Sequence, residues 1–113
     1  MISRIWHGYT TKENADTYQN LLENEIFVGI RKRNIHGYKG IQLLRREMES
    51  ETEFITVMWF DSIDAVKEFA GQDFENAVVP DKAQKVLSRF DNTSLHYTVL
   101  VDDYHDFKAD SQS

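Results

Sequence analysis

The chain has 113 residues, a net charge of −6, no cysteine and a single proline. That length holds one domain, and the missing thiols exclude disulfides, thiol nucleophiles and every cysteine-ligated metal site. The 13 Lys and Arg against 19 Asp and Glu speak against nucleic acid as a partner. No apolar run approaches the ~20 residues of a membrane span and no leader-like segment opens the chain, so the cytoplasm is the expected compartment.

Ile2 to Tyr9 mixes β-branched and aromatic residues at a period near two and predicts a strand. Thr10 and Glu13 have the spacing of a capping box. Behind them Ala15, Tyr18, Leu22, Ile26 and Gly29 predict one apolar stripe on a long helix. Residues 35–40 form a glycine-punctuated turn. Ile41 to Met48 and Phe54 to Phe60 read as two strands of an antiparallel hairpin across a Glu-rich turn. Asp61 or Ser62 then caps a helix bearing Ile63, Val66, Phe69 and Ala70, which Gly71 ends. Asp73 to Val79 reads as an extra helical turn. Pro80 opens a further helix whose inner face is Ala83, Val86, Leu87 and Phe90. Ser94 to Val101 predicts a last strand.

The order is β-α-β-β-α-β, the α+β ferredoxin-like pattern of a four-stranded antiparallel sheet with helices on one face. Residues 1–101 are expected to form this domain and 102–113 an acidic, polar C-terminal tail. Both faces of the sheet carry large apolar side chains. On the third strand Phe54, Met58 and Phe60 oppose Ile55, Val57 and Trp59; on the first, Ile5 and Tyr9 oppose Ile2 and Trp6. Helices cover one face only, so the face with Trp6, Val57 and Trp59 is expected to bury itself on a second copy as a two-fold homodimer.

Residues 31–46 hold six basic side chains and no acid, followed by Glu47, Glu49, Glu51 and Glu53; opposite charges paired across the hairpin account for this more simply than a basic mouth for an anion. The four histidines make no metal-ligand spacing. His7, in phase with Ile5 and Tyr9, is expected to face the helices, as a buried structural imidazole or as a general base. His96 reads as structural, and Ser62 and the Gly37/Gly40 pair lack the context of a nucleophile elbow or a nucleotide cradle.

Gly37-Tyr38-Lys39-Gly40, Phe60-Asp61-Ser62-Ile63-Asp64-Ala65, Phe69-Ala70-Gly71, Ala77-Val78-Val79-Pro80 and Arg89-Phe90-Asp91 through His96-Tyr97, in that order and spacing, resemble the antibiotic biosynthesis monooxygenase family over nearly all of residues 2–101. The resemblance implies a ferredoxin-like subunit that dimerises into an α+β barrel. It also implies relatives that oxidise polyaromatic substrates without a cofactor, or degrade haem. The haem-degrading branch has an Asn, a Trp and a His where this chain has His7, Phe69 and Val79. The cofactor-independent branch has an Asn and a Trp where it has Thr56 and Phe60. Neither catalytic set is present, and no cofactor or metal is expected. The expected site is a pocket in which His7 serves as base and Tyr9, Thr56, Met58, Phe60, Phe69 and Phe74 hold a small aromatic substrate that reacts with O₂. The alternative is a non-catalytic ligand-binding or stress-associated dimer of the same fold.

Overall fold

The N-terminal strand β1, Ile2–Thr11, runs down the middle of the sheet in the computed structural model, which describes residues 1–103. Along one edge it pairs antiparallel with β3, Glu51–Phe60, in unbroken register from Ile2 opposite Phe60 to Thr11 opposite Glu51. β3 pairs in turn with β2, Tyr38–Glu47, across the tight turn expected from the Glu-rich segment. Two short C-terminal strands share the other edge of β1: β4, Arg89–Phe90, beside Gly8 and Tyr9, and β5, Leu95–Thr98, beside Ile2 to Ile5. The order β2-β3-β1-β4, with β5 also on β1, is the ferredoxin-like arrangement that the element order implied.

Helical residues 15–32 fall into α1 (Ala15–Leu21), a π-helical segment (Leu22–Ile26) and α2 (Phe27–Lys32). The wider π turn inserts one residue. The inward face therefore runs Ala15, Tyr18, Leu22, then Phe27, and Gly29 meets no side chain. The expected capping box does not form, because pairing with Glu51 carries β1 on to Thr11. Thr11 Oγ1 instead accepts the Asn14 amide at 3.2 Å. Ser62 caps α3, Ile63–Ala70, as expected, and the Gly71 amide closes it on Lys67 O at 2.7 Å. The expected helical turn over 73–79 is irregular chain. The last helix, α4, is only Asp81–Gln84, and Phe90 lies on a strand.

Alternation along β1 and β3 sorts the side chains. Ile2, Trp6, Phe54, Met58 and Phe60 pack with the helices, so the even-numbered positions of both strands look that way. Ile5, His7, Tyr9, Ile55, Val57 and Trp59 take the opposite, open face. The expectation is corrected here: Trp6 belongs to the helix side and His7 with Tyr9 to the open side. Tyr18 meets Phe54 edge-on at 4.9 Å, and Phe60 sits between Tyr38 and Phe69 at 5.9 and 5.8 Å. Gly8 is required by close approach, since a Cβ there would lie 2.8 Å from the Trp6 ring. Gly37 holds φ +89° while its carbonyl accepts the Asp61 amide at 2.7 Å.

Half of the basic run is paired with carboxylates. Lys39 pairs with Asp61, Arg45 with Asp16 and Glu47, and Arg46 with Glu53. Arg33 donates to the Glu68 and Phe69 carbonyls at the end of α3. Of the tail, residues 104–113 lie outside the described residues. Among the described residues no helix is long and apolar enough to cross a membrane.

Two predictions follow from the β1–β3 end. Thr10 is fully buried with its hydroxyl unpartnered. Thr10→Val keeps the shape and removes the stranded group, so it is expected to raise the unfolding free energy by about 1 kcal/mol in a denaturant titration. Nearby, Glu47 takes hydrogen bonds from Lys12, Thr52 and Arg45 that lower its carboxyl from 4.5 to about 2. A depressed folded-state value contributes stability above 4.5 that is lost as pH falls toward 2. Glu47→Gln is expected to flatten thermal stability against pH across that window.

Candidate functional site

The helices and the sheet do not close completely over the middle of β1. A cavity of about 60 Å³ remains there, walled by Trp6, Thr56 and Met58 of the sheet, by Tyr18, Leu22, Ile26, Phe27 and Ile30 of the long helical segment, and by Phe69 of α3. Val78, Val79 and Pro80 of the irregular chain form its outer rim. The π turn contributes directly, since Leu22 and Ile26 bound it and both reach this wall.

One charged residue stands in this wall. Arg4 is 3% exposed, and among the described residues it makes no ion pair. Its Nη1 donates to Phe74 O at 2.5 Å and lies 2.9 Å from His96 Nε2; Nη2 donates to Asn76 O at 3.2 Å. Phe69 stacks beneath the guanidinium at 5.6 Å. Burial lowers Arg4 from 12.5 to about 10, which leaves it charged at neutral pH. Because guanidinium only donates, His96 Nε2 is the acceptor and its proton sits on Nδ1. Burial, and then the Arg4 charge, hold His96 below its ordinary 6.5, with Glu75 opposing.

The irregular chain is fastened to this pair. Besides the two carbonyls on Arg4, the Ala77 amide bonds Asn92 O at 2.9 Å and the Ser94 amide bonds Glu75 O at 2.8 Å. Phe74 meets the His96 ring edge-on at 5.1 Å. The guanidinium of Arg4 thus ties the irregular chain to β1 and, through His96, adds to the ladder that already joins β5 to β1.

Of the residues expected to form the site, Thr56, Met58 and Phe69 line the cavity. Phe60 lies in the core beside Phe69, and Phe74 sits behind the wall against His96 and Arg4. His7 and Tyr9 are on the other side of the sheet. There His7 Nδ1 lies 3.0 Å and Tyr9 Oη 3.2 Å from Glu53 Oε2, while the Arg89 guanidinium stacks 3.7 Å from the Tyr9 ring centre. The hydrogen bond from His7 leads the effects that lower Glu53. Sequence reasoning missed Arg4 and put Trp6 on the opposite face; His96 makes a structural bond, as expected, to Arg4. The available signal was Arg4 itself, the single permanent charge in the strand from Ile2 to Tyr9.

The wall does not fit axial ligation of haem iron. Val79 brings no donor atom, and the one imidazole nearby has its Nε2 lone pair engaged by Arg4. Among the described residues no cluster of three His, Asp or Glu side chains is placed to hold a metal ion.

Neither a family model nor a curated protein matches the sequence. Solved structures do match. A Bacillus cereus protein assigned to the antibiotic biosynthesis monooxygenases superposes with a TM-score of 0.64 at 9% identity, over 93% of this chain and 96% of that one. The heme-degrader MhuD from Mycobacterium tuberculosis, solved with two haems in its active site, superposes with a TM-score of 0.56 at 19% identity, over 92% and 100%. At these identities what is shared is the fold.

The Arg4–His96 contact has a titration signature. The His96 ring is expected to show an NMR midpoint below 6.5, rising when Arg4→Gln removes the neighbouring charge. Since the folded-state value is depressed, stability is present above 6.5 and is lost as pH falls through the His96 midpoint.

Proposed function

We propose that this chain is an oxygenase of the antibiotic biosynthesis monooxygenase kind that oxidises a small phenolic or enolic aromatic compound without a cofactor. The observation that carries the reading is the apolar, aromatic-walled cleft between sheet and helices, in a fold shared with proteins of that description. An aromatic ring enclosed there is shielded from water, stacks near Trp6 and Phe69, and is held at one orientation. The cavity of about 60 Å³ is smaller than the ~150 Å³ that accepts benzene, so entry requires Val78, Val79 and Pro80 to part from Phe69.

No side chain on the wall is a ready base, because His96 Nε2 is engaged and Thr56 and Ser94 are hydroxyls. The substrate is therefore one that ionises by itself near neutral pH. Its carbanion passes an electron to O₂, the two combine as a peroxide at carbon, and loss of water leaves a ketone. One CH₂ and one O₂ give one C=O and one H₂O, so carbon is oxidised by four electrons and both oxygen atoms are accounted for.

The small cavity volume favours a second reading, a ligand-binding dimer without chemistry. Oxygen uptake over a panel of anthrone-like phenols separates the two. Uptake above the uncatalysed rate, lost at least tenfold in Met58→Trp as the cleft fills, is expected for the oxygenase. No uptake with any member leaves the binding protein. His7→Ala decides between the faces: a rate kept within twofold assigns the chemistry to the cleft, and a collapse assigns it to the His7–Glu53–Tyr9 cluster.

A second copy is proposed to cover the open face. Leu44, Leu95 and Tyr97 are 42%, 54% and 51% exposed there, beside Ile5, Ile55 and Trp59, an apolar surface large for a lone chain of this size. Sedimentation is expected to show a dimer, and Trp59→Glu the 13.3 kDa single chain.

A further inference from the structure

We infer that the cleft reads a carboxylate, so that its ligand is a small apolar or aromatic monocarboxylic acid gripped by Arg4. This rests on the cleft being the ligand site and adds to it a charge class. Arg4 has five N–H donors, and among the described residues three hydrogen bonds occupy them, two on Nη1 and one on Nη2. Nε–H and one Nη2–H are left, on adjacent nitrogens. Two neighbouring donors in one plane match the two oxygens of a carboxylate better than the single oxygen of a phenolate.

Charge and size point the same way. Arg4 is 3% exposed and is hydrogen-bonded by carbonyls and an imidazole, but among the described residues no carboxylate neutralises its charge. A single cation balances one negative charge, not the two of a phosphate monoester. Burial, and then the Arg4 charge, favour the neutral form of His96, whose Nε2 accepts from Arg4, so it adds no second positive charge. A cavity of about 60 Å³ beside Arg4 has room for a carboxyl group but not for a whole aromatic ligand. The apolar remainder of the ligand then lies along Phe69, Val78, Val79 and Pro80, where Val78 is 47% exposed.

Calorimetric titration of the full chain at pH 7.5 tests this with matched pairs: phenylacetate against phenylacetamide, 3-phenylpropionate against its amide, and 4-nitrophenolate as a one-oxygen anion. The acids are expected to bind at least tenfold more tightly than the amides, with the phenolate grouped with the amides. Arg4→Lys keeps the charge but loses the paired donors and is expected to lose most of the preference; Arg4→Gln is expected to abolish it. Acids and amides binding alike would overturn the carboxylate handle while leaving the cleft as an aromatic site. Phenolate binding as tightly as the acids would assign the charge to the phenol and overturn the two-oxygen grip. No binding by any compound would remove both the handle and the cleft reading. These comparisons are made on the wild-type chain and do not depend on either variant folding.

Discussion

β1 is hydrogen-bonded along both edges, to β3 on one side and to β4 and β5 on the other. A strand held in this way cannot rotate, so each side chain has one of two directions, and a shift of one residue would exchange all of them. Everything functional in the molecule follows from which parity faces the helices. Arg4 and Trp6 enter the cleft and Gly8 makes room for the indole. His7 and Tyr9 are sent to the far side, where Glu53 collects both of their polar ends.

The buried guanidinium then organises the part of the chain with the least regular structure. Residues 71–80 have little ladder of their own beyond the bridge between Asn76 and Thr93, and two of their carbonyls, those of Phe74 and Asn76, turn inward to Arg4. A cation satisfied by carbonyls is hydrogen-bonded but not neutralised. The same side chain that fastens the rim therefore leaves a positive field in the cleft. The proposed ligand-reading role is compatible with the structural one because it uses different N–H groups of one planar head.

The elements were legible where local chemistry decides them. Ser62 and Gly71 bracket α3, and the hairpin of β2 and β3 forms as its charges and alternation imply. Elements decided by distant partners were not. Thr10 looks like a helix cap until Thr52 and Glu51 extend the strand past it, and Phe90 looks like a helix residue until Gly8 pairs with it. The parity of β1 was hidden for a related reason. Ile2 and Trp6 on one side and Ile5 and Tyr9 on the other are equally apolar, so hydrophobicity carried no preference between faces. Thr56 and Met58 reach the cavity because they share the parity of Phe54 and Phe60 on β3, and Phe69 because it faces them from α3. Arg4 was missed because its partner His96 stands 92 residues away.

The π turn at Leu22–Ile26 divides the long helical segment into two parts with separate duties. Upstream, Tyr18 is seated against Phe54 and anchors the segment to the sheet. Downstream, Phe27 and Ile30 meet the opening between β1 and α3. Winding the same residues as a regular α-turn, with none removed, would keep the anchor and rotate the downstream half by about 100°, turning Phe27 off the inward face it shares with Leu22. One residue of helical phase thus decides which side chains of Phe27–Lys32 reach the cavity wall.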